Sequence, residues 1–365
     1  MEQTTIVMED MLNSIKDQTD GFRFGEVWRI SNKALGALIP ILRHKDAKRA
    51  YLMIEELKKG QYEILDSGSI DKIRIKGSFD KAVFIRTGNI FEGKGTQSRA
   101  AEISIIILPS KTKEETIIPA RCVHASHPIS SGAKFERFGY APREVTYNLF
   151  TRRGQGEVWA SVGGSSARLF SMADPQLRRM AASDSMVSNL RQVKEDKSKI
   201  TSILKNIPCL ENQVGIVIID EKGVSHIEVF NHPDSWSAFH ESIIENYSDI
   251  LTKEQDEPLF EIKKEAVPKK IGEFIEKLKN TEKKPVFKNK RATTFILSNN
   301  SIVGECSTLD NEIIHILASR TLSTTSETKS RESQLFGEHH IYSERMNNLV
   351  YGTRARENNP HILSK

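Results

Sequence analysis

The chain has 365 residues, 38% hydrophobic and 28% charged, with a formal net charge of +5 and a pI near 8.9. This composition is ordinary for a globular protein with a sizeable core, and the length fits one large or two modest domains. The mild positive excess permits a polyanionic partner without requiring one. Cys122, Cys209 and Cys306 are odd in number and widely spaced, which argues against a disulfide framework and for a reducing compartment. The first 20 residues form an acidic segment, with Glu2, Glu9, Asp10, Asp17 and Asp20, and lack the basic start and apolar stretch of a signal peptide. No apolar run approaches the roughly 20 residues of a membrane helix, and the stretch 103–108 reads as a buried strand. A cytoplasmic protein without membrane contact is the expectation.

Residues 22–40 open the fold with short apolar runs. Ala50, Met53, Ile54 and Leu57 recur at helical spacing, which predicts a helix over 48–59 capped by Gly60. Strands are expected at 73–75 and 82–85 about the turn residues Gly77, Ser78 and Asp80, then at 102–108 and 116–123, with a glycine-rich loop at 88–95. Residues 159–207 read as mostly helical, broken at Asp174-Pro175, with an apolar stripe at Leu190, Val193, Ile200, Ile203 and Leu204. A strand–turn–strand at 214–230 turns at Glu221-Lys222-Gly223. Trp236, Phe239, Ile243, Ile244 and Tyr247 mark an amphipathic helix over 235–251. A second helix, 270–279, precedes a second strand–turn–strand at 294–305, turning at Asn299-Asn300. Two hairpins with associated helices hint at a duplication, although two units are too few for a repeat. Beyond Thr321 the apolar periodicity stops, so 321–365 reads as a disordered tail whose stretch 341–351 is apolar enough to dock a protein partner. The fold class expected is α+β: a sheet-rich first half, then helices and the two hairpins, in one domain over 21–320.

Three groups of residues carry candidate chemistry. Gly88, Gly93 and Lys94 nearly match a phosphate-binding P-loop, but Gly95 stands where Ser or Thr belongs and a strand-like segment follows in place of the helix such a loop needs. A backbone nest for an anion or a plain hairpin connector are the two readings left open. In the nest reading Lys94 and Arg99 meet phosphate and Gln97 fixes orientation, and replacing either cation weakens binding with little effect on stability. Cys122, His124 and His127 carry zinc-compatible atoms at a spacing that fits no common zinc signature, so no metal and no cofactor are expected. Arginines alternate with aromatics from Arg121 to Arg153, as in a surface that grips phosphate and stacks bases, or as in a packed loop whose arginines pair with Glu136, Glu144 and Glu157. The run 283–291, Lys-Lys-Pro-Val-Phe-Lys-Asn-Lys-Arg, suits either a nucleic-acid backbone or a solvated linker.

The loop from Gly88 to Arg99, closing on Gln97-Ser98-Arg99, the element Ile118-Pro119-Ala120-Arg121-Cys122-Val123-His124 and the later Val229-Phe230-Asn231-His232-Pro233 together resemble the ARG and rhodanese-phosphatase-superfamily-associated protein family over about 22–320. The chain departs from that family's pattern at Asn89 and Ile90, where two acidic residues are usual, and at His124, where Glu is usual. The resemblance implies a shared scaffold and, through the family's association with ADP-ribosylation and phosphatase-type proteins, a binding or accessory module for a phosphorylated nucleotide-like ligand. The ligand-binding candidates are Gly88, Gly93, Lys94, Gly95, Gln97, Arg99 and Arg121. A hydrolase acting on an ADP-ribose-type bond is an alternative, with Glu92 and His124 as its acid–base candidates. Weak, non-specific nucleic-acid binding is another.

Overall fold

The computed structural model describes residues 2–28, 36–45, 48–58, 60–124, 128–172, 183–195, 207–247 and 262–321. The chain divides into two units, Met1–Thr321 and Leu322–Lys365. The expected disordered tail and its docking stretch lie outside the described residues, as do Asp174-Pro175, residues 200–204 and the end of the helix expected over 235–251.

Alternating apolar residues with polar turns build an eight-stranded antiparallel sheet in the order β1-β2-β12-β13-β17-β16-β15-β14. Its strands are β1 (Phe22–Phe24), β2 (Gly36–Arg43), β12 (Gln213–Asp220), β13 (Gly223–Phe230), β14 (Glu282–Lys288), β15 (Ala292–Ser298), β16 (Ile302–Leu309) and β17 (Glu312–Arg320). Both expected hairpins are present, as β12–β13 and β15–β16. Helices α1 (Glu2–Asp17) and α7 (Val267–Lys279) cover one face: Met8, Leu12 and Ile15 pack with Ile271, Phe274 and Leu278 over Val217, Ile227 and Ile316. Helices α5 (Pro233–His240) and α6 (Ile243–Asn246) serve the other face, placing Trp236, Phe239 and Ile243 against Ile216, Ile218 and Phe230. The two hairpins are therefore not copies of one unit. A helix follows the first and precedes the second, and the two helices cover opposite faces.

A closed six-stranded barrel, β10-β5-β4-β11-β7-β8, stands beyond a small sheet, β3-β6-β9. The barrel uses β4 (Tyr62–Asp66), β5 (Lys72–Phe79), β7 (Asn89–Gly93), β8 (Arg99–Ala101), β10 (Ser110–Cys122) and β11 (Lys134–Tyr140). The small sheet comprises β3 (Tyr51–Met53), β6 (Ala82–Ile85) and β9 (Ile105–Ile107). It is buried on both sides. Phe84 and Ile106 join the core against the large sheet, whereas Val83, Ile85, Ile105 and Ile107 join the core shared with the barrel. Burial on both faces explains the unbroken apolar runs of the sequence here. Helices α2 (Arg143–Phe150), α3 (Gln155–Met172) and α4 (Met186–Glu195) pack on the barrel through Val145, Val158, Val162 and Leu190, against Ile90, Ala100 and Val123.

Four local expectations are corrected. Residues 48–59 are not a helix: β3 pairs in parallel with β6, and a 3-10 turn, Ile54–Glu56, follows. Glu56 closes that turn by accepting from the Met53 amide at 2.7 Å and gripping Arg49, so a strand and a tight turn mimic helical spacing over a short window. Gly77 and Ser78 lie inside β5, and the two flanking strands enter different sheets. Most of the expected glycine-rich loop is strand β7. The expected strand 102–108 is narrower, with β8 ending at Ala101 and β9 covering Ile105–Ile107.

Candidate functional site

Strand β8 pairs with β10 so that Arg99 faces Cys122 and Ala100 faces Arg121. Cross-strand pairing thus sets the Gln97-Ser98-Arg99 segment beside Cys122-Val123-His124, and the Val123 amide donates to the Ser98 carbonyl at 3.0 Å. Along each strand, side chains alternate between barrel interior and exterior. Ala101, Ala120 and Ile64 belong to the interior core, so Arg99, Cys122 and Asp66 share that side and form its polar end. Arg99, Cys122 and Asp66 are each fully buried.

Most hydrogen-bonding capacity at this end has a defined partner. Asp66 accepts from the Gly68 amide at 2.8 Å and from the Thr96 hydroxyl. Arg99 donates through Nη1 to the Gln97 carbonyl at 2.9 Å and to Gln97 Oε1 at 3.2 Å. Its Nη2 stands 3.9 Å from Asp66, too far for a hydrogen bond. Among the described residues, Nε and Nη2 of Arg99 have no hydrogen-bond partner. The Gln155 side chain, at the start of α3, clamps Cys122 by accepting from its amide at 3.1 Å and donating to its carbonyl at 2.7 Å. The Cys122 thiol donates to the His124 carbonyl at 2.8 Å. Burial pushes this thiol up, against the opposing pull of Arg99, the His124 backbone and Trp159, so Cys122 is poorly disposed to act as a nucleophile. His124 Nε2 lies 3.8 Å from Asp184, ahead of α4.

The other sequence candidates fall elsewhere. Lys94 is half exposed and pairs with Glu92 at 3.1 Å and Glu136 at 3.5 Å, whereas Arg99 is closed from solvent. The structure therefore does not present the two cations on one surface. Burial pushes Glu92 up, but Arg191 at 2.7 Å and Lys94 outweigh it and hold the carboxyl below the usual range. Arg121 is engaged by Glu102 at 2.9 Å, which Arg152 also approaches at 3.5 Å. Gly88 has a positive φ of 84° and donates its amide to Ala101. At Gly93 a Cβ would stand 2.2 Å from the Thr96 carbonyl oxygen. The amides of Gly93, Lys94 and Gln97 donate to Ser98 Oγ, the Lys134 carbonyl and the Pro128 carbonyl. A strand, not a helix, follows the loop, so the P-loop likeness is one of sequence only. His127 lies outside the described residues, and among those described no three His, Cys, Asp or Glu residues gather as a metal site. The basic run 283–291 is no linker: most of it forms β14, an edge of the large sheet, and Arg291 pairs with Asp310.

A second polar centre was not visible in sequence. Glu228 on β13, fully buried, receives Arg86 through Nε and, at 2.9 Å, through Nη2. His315 Nε2 lies 2.9 Å away, and the Tyr247 hydroxyl also donates to this carboxylate. Glu305, in register two strands across, accepts from Thr87, Ser104 Oγ at 2.9 Å and the Ser104 amide at 3.0 Å. The only sequence signal was charged and imidazole residues at alternate positions of an apolar strand, His226 and Glu228, with Arg86 ending another. All these groups are sealed from solvent, and they join the large sheet to the segment between β6 and β9.

Residues 22–319 match the family model of the ARG and Rhodanese-Phosphatase-superfamily-associated Protein domain, and the chain belongs to that family. Neither a curated protein nor a solved structure matches it. No helix of the described residues is long and apolar enough to cross a membrane.

Proposed function

We propose that this family member is a recognition or accessory module for a phosphorylated, nucleotide-like ligand, of the ADP-ribose or NAD-linked kind that the family's association implies. The observation that carries the reading is the meeting of the Gln97–Arg99 and Cys122–His124 segments at the polar end of the barrel, where a buried guanidinium stands beside Asp66. Ligand sites of small barrels favour such an end, with a few convergent polar groups over an apolar floor. Recognition is better supported than turnover. Glu92 is tied to Arg191 and Lys94, and the Cys122 thiol is pushed up by burial, so neither is poised for acid–base or nucleophilic work. Polymer binding has less support, because the lysine run has a structural use at a sheet edge.

The test is a thermal-shift and calorimetry screen of the full chain against ATP, ADP-ribose, NAD and cyclic nucleotides. At least one is expected to raise Tm in a saturable, one-site manner. Absence of any shift at millimolar ligand would overturn the reading. Turnover of a bound ligand that Glu92→Gln abolishes while sparing affinity would move the protein to the hydrolases.

A further inference from the structure

We infer that the Nε–Nη2 edge of Arg99 receives two non-bridging oxygens of one anionic group, a phosphate or a carboxylate, at the polar end of the barrel. The inference rests on the recognition-module reading and names the group that does the recognising.

A guanidinium presents one edge, made of Nε–H and the adjacent Nη2–H, that matches two oxygens of one oxyanion. Among the described residues, two other arginines use that edge. Arg86 closes it on both oxygens of Glu228. Arg291 closes it on both oxygens of Asp310, with Nε at 2.7 Å. Arg99 is as deeply buried as Arg86, yet among the described residues the same two nitrogens have no partner. Its nearest carboxylate, Asp66, stands at 3.9 Å and is turned to Gly68 and Thr96. Nη1 is fixed by Gln97 at two points, which holds the guanidinium plane and keeps the unpaired edge in place. Burying a charged group with unmet donors is costly, and native proteins retain such groups chiefly where something else completes them. The surrounding wall is built to hold position: Gln155 clamps the Cys122 backbone, and the Thr96 hydroxyl links Asp66 to the 94–98 loop.

The experiment titrates the intact protein with inorganic phosphate, AMP and acetate. It follows the Arg99 Nε–H resonance by nitrogen-edited NMR and the affinity by calorimetry, for the parent chain, Arg99→Lys and Asp66→Asn. Phosphate and AMP are expected to move the Arg99 resonance. Arg99→Lys keeps the charge but loses the two-donor edge, and is expected to weaken binding by roughly tenfold or more. Asp66→Asn removes the competing carboxylate and should tighten binding. Acetate moving the resonance while phosphate does not would keep Arg99 as the receptor, assign it to a carboxylate, and count against the phosphorylated ligand. Phosphate binding with the resonance unmoved and with Arg99→Lys equal to the parent would overturn this site and leave the module reading standing. Failure of all three anions to bind would overturn this site, while the module reading stands or falls on the nucleotide screen. If Arg99→Lys fails to fold, the resonance of the parent chain decides alone.

Discussion

A single carboxylate, Glu228, gathers Arg86, His315 and Tyr247 in a space closed to water. Burying an ion pair is costly, yet removing one partner is costlier, because the other charge is left uncompensated, at about 3–5 kcal/mol. Glu228→Gln keeps the shape and strands Arg86, so urea unfolding should show a loss of that order. The same centre sets an acid limit on stability. Burial lowers His226 to about 4 and lowers His315, so both stay neutral in the fold while the unfolded chain takes up protons below about 6.5. Their contribution is complete above that value and falls away as pH drops below it, toward about 4 for His226. Burial pushes Glu228 up, but Arg86, His226 and His315 outweigh it and hold the carboxyl well below its ordinary range. Its contribution is present above about 4.5 and lost as pH falls further. Glu305 acts in the opposite sense, since burial raises it and the fold holds its proton more tightly than the unfolded chain does. The histidines set the sign over most of this range, with His240 also lowered by burial, and Glu228 adds to it below about 4.5, so the urea midpoint should decline between pH 7 and 4. A midpoint that rises over this range would show that Glu305 dominates.

Strand β14 ends the large sheet and carries Lys283, Lys284, Pro285 and Lys288. An open edge invites pairing with another chain, and charge, proline and a bulge are the usual guards; here the register also shifts between Pro285 and Phe287. Replacing Lys284 and Pro285 together by Val should therefore give concentration-dependent association in sedimentation velocity. A variant that stays as monodisperse as its parent would show the edge to be guarded by other means. The hairpins β12–β13 and β15–β16 were legible because polar turns separate apolar runs of strand length. Strand β17 was not, since the stretch from Ile313 to Ala318 is apolar apart from His315 and lies centrally in the sheet, where alternation disappears. Helix α1 carries its signal, Met8, Leu12 and Ile15 at helical spacing, within a strongly acidic segment. At the site, the sequence marks the two segments separately. Their meeting depends on barrel closure, a non-local pairing of Arg99 with Cys122 across an intervening strand, and Asp66 joins only through β4. The burial of Arg99 is hidden for the same reason, because the segment that reads as a glycine-rich loop is part of the wall of a closed barrel.

At the scale of the whole molecule, the apolar clusters of the described residues run to Ala318, and the first of them draws on the opposite terminus. Helix α1 sets three fully buried side chains over α7 and the large sheet and adds an ion pair from Lys16 to Glu276 at 2.7 Å. Each buried Met, Leu or Ile contributes roughly 1.5–3 kcal/mol on removal from water, so their joint loss approaches the whole stability of an ordinary domain. Without α1, the apolar face of α7 bearing Ile271, Phe274 and Leu278 would also lose its cover. The two ends of the chain should therefore behave in opposite ways. Deleting residues 1–17 is expected to abolish cooperative unfolding or lower Tm by more than about 10 °C, whereas ending the chain after Thr321 should move it by less than about 2 °C. Circular-dichroism melts of the two truncations decide the matter. A C-terminal truncation that fails to fold would place part of the core's support beyond Thr321, and an N-terminal truncation that melts like its parent would make α1 an appendage of the fold.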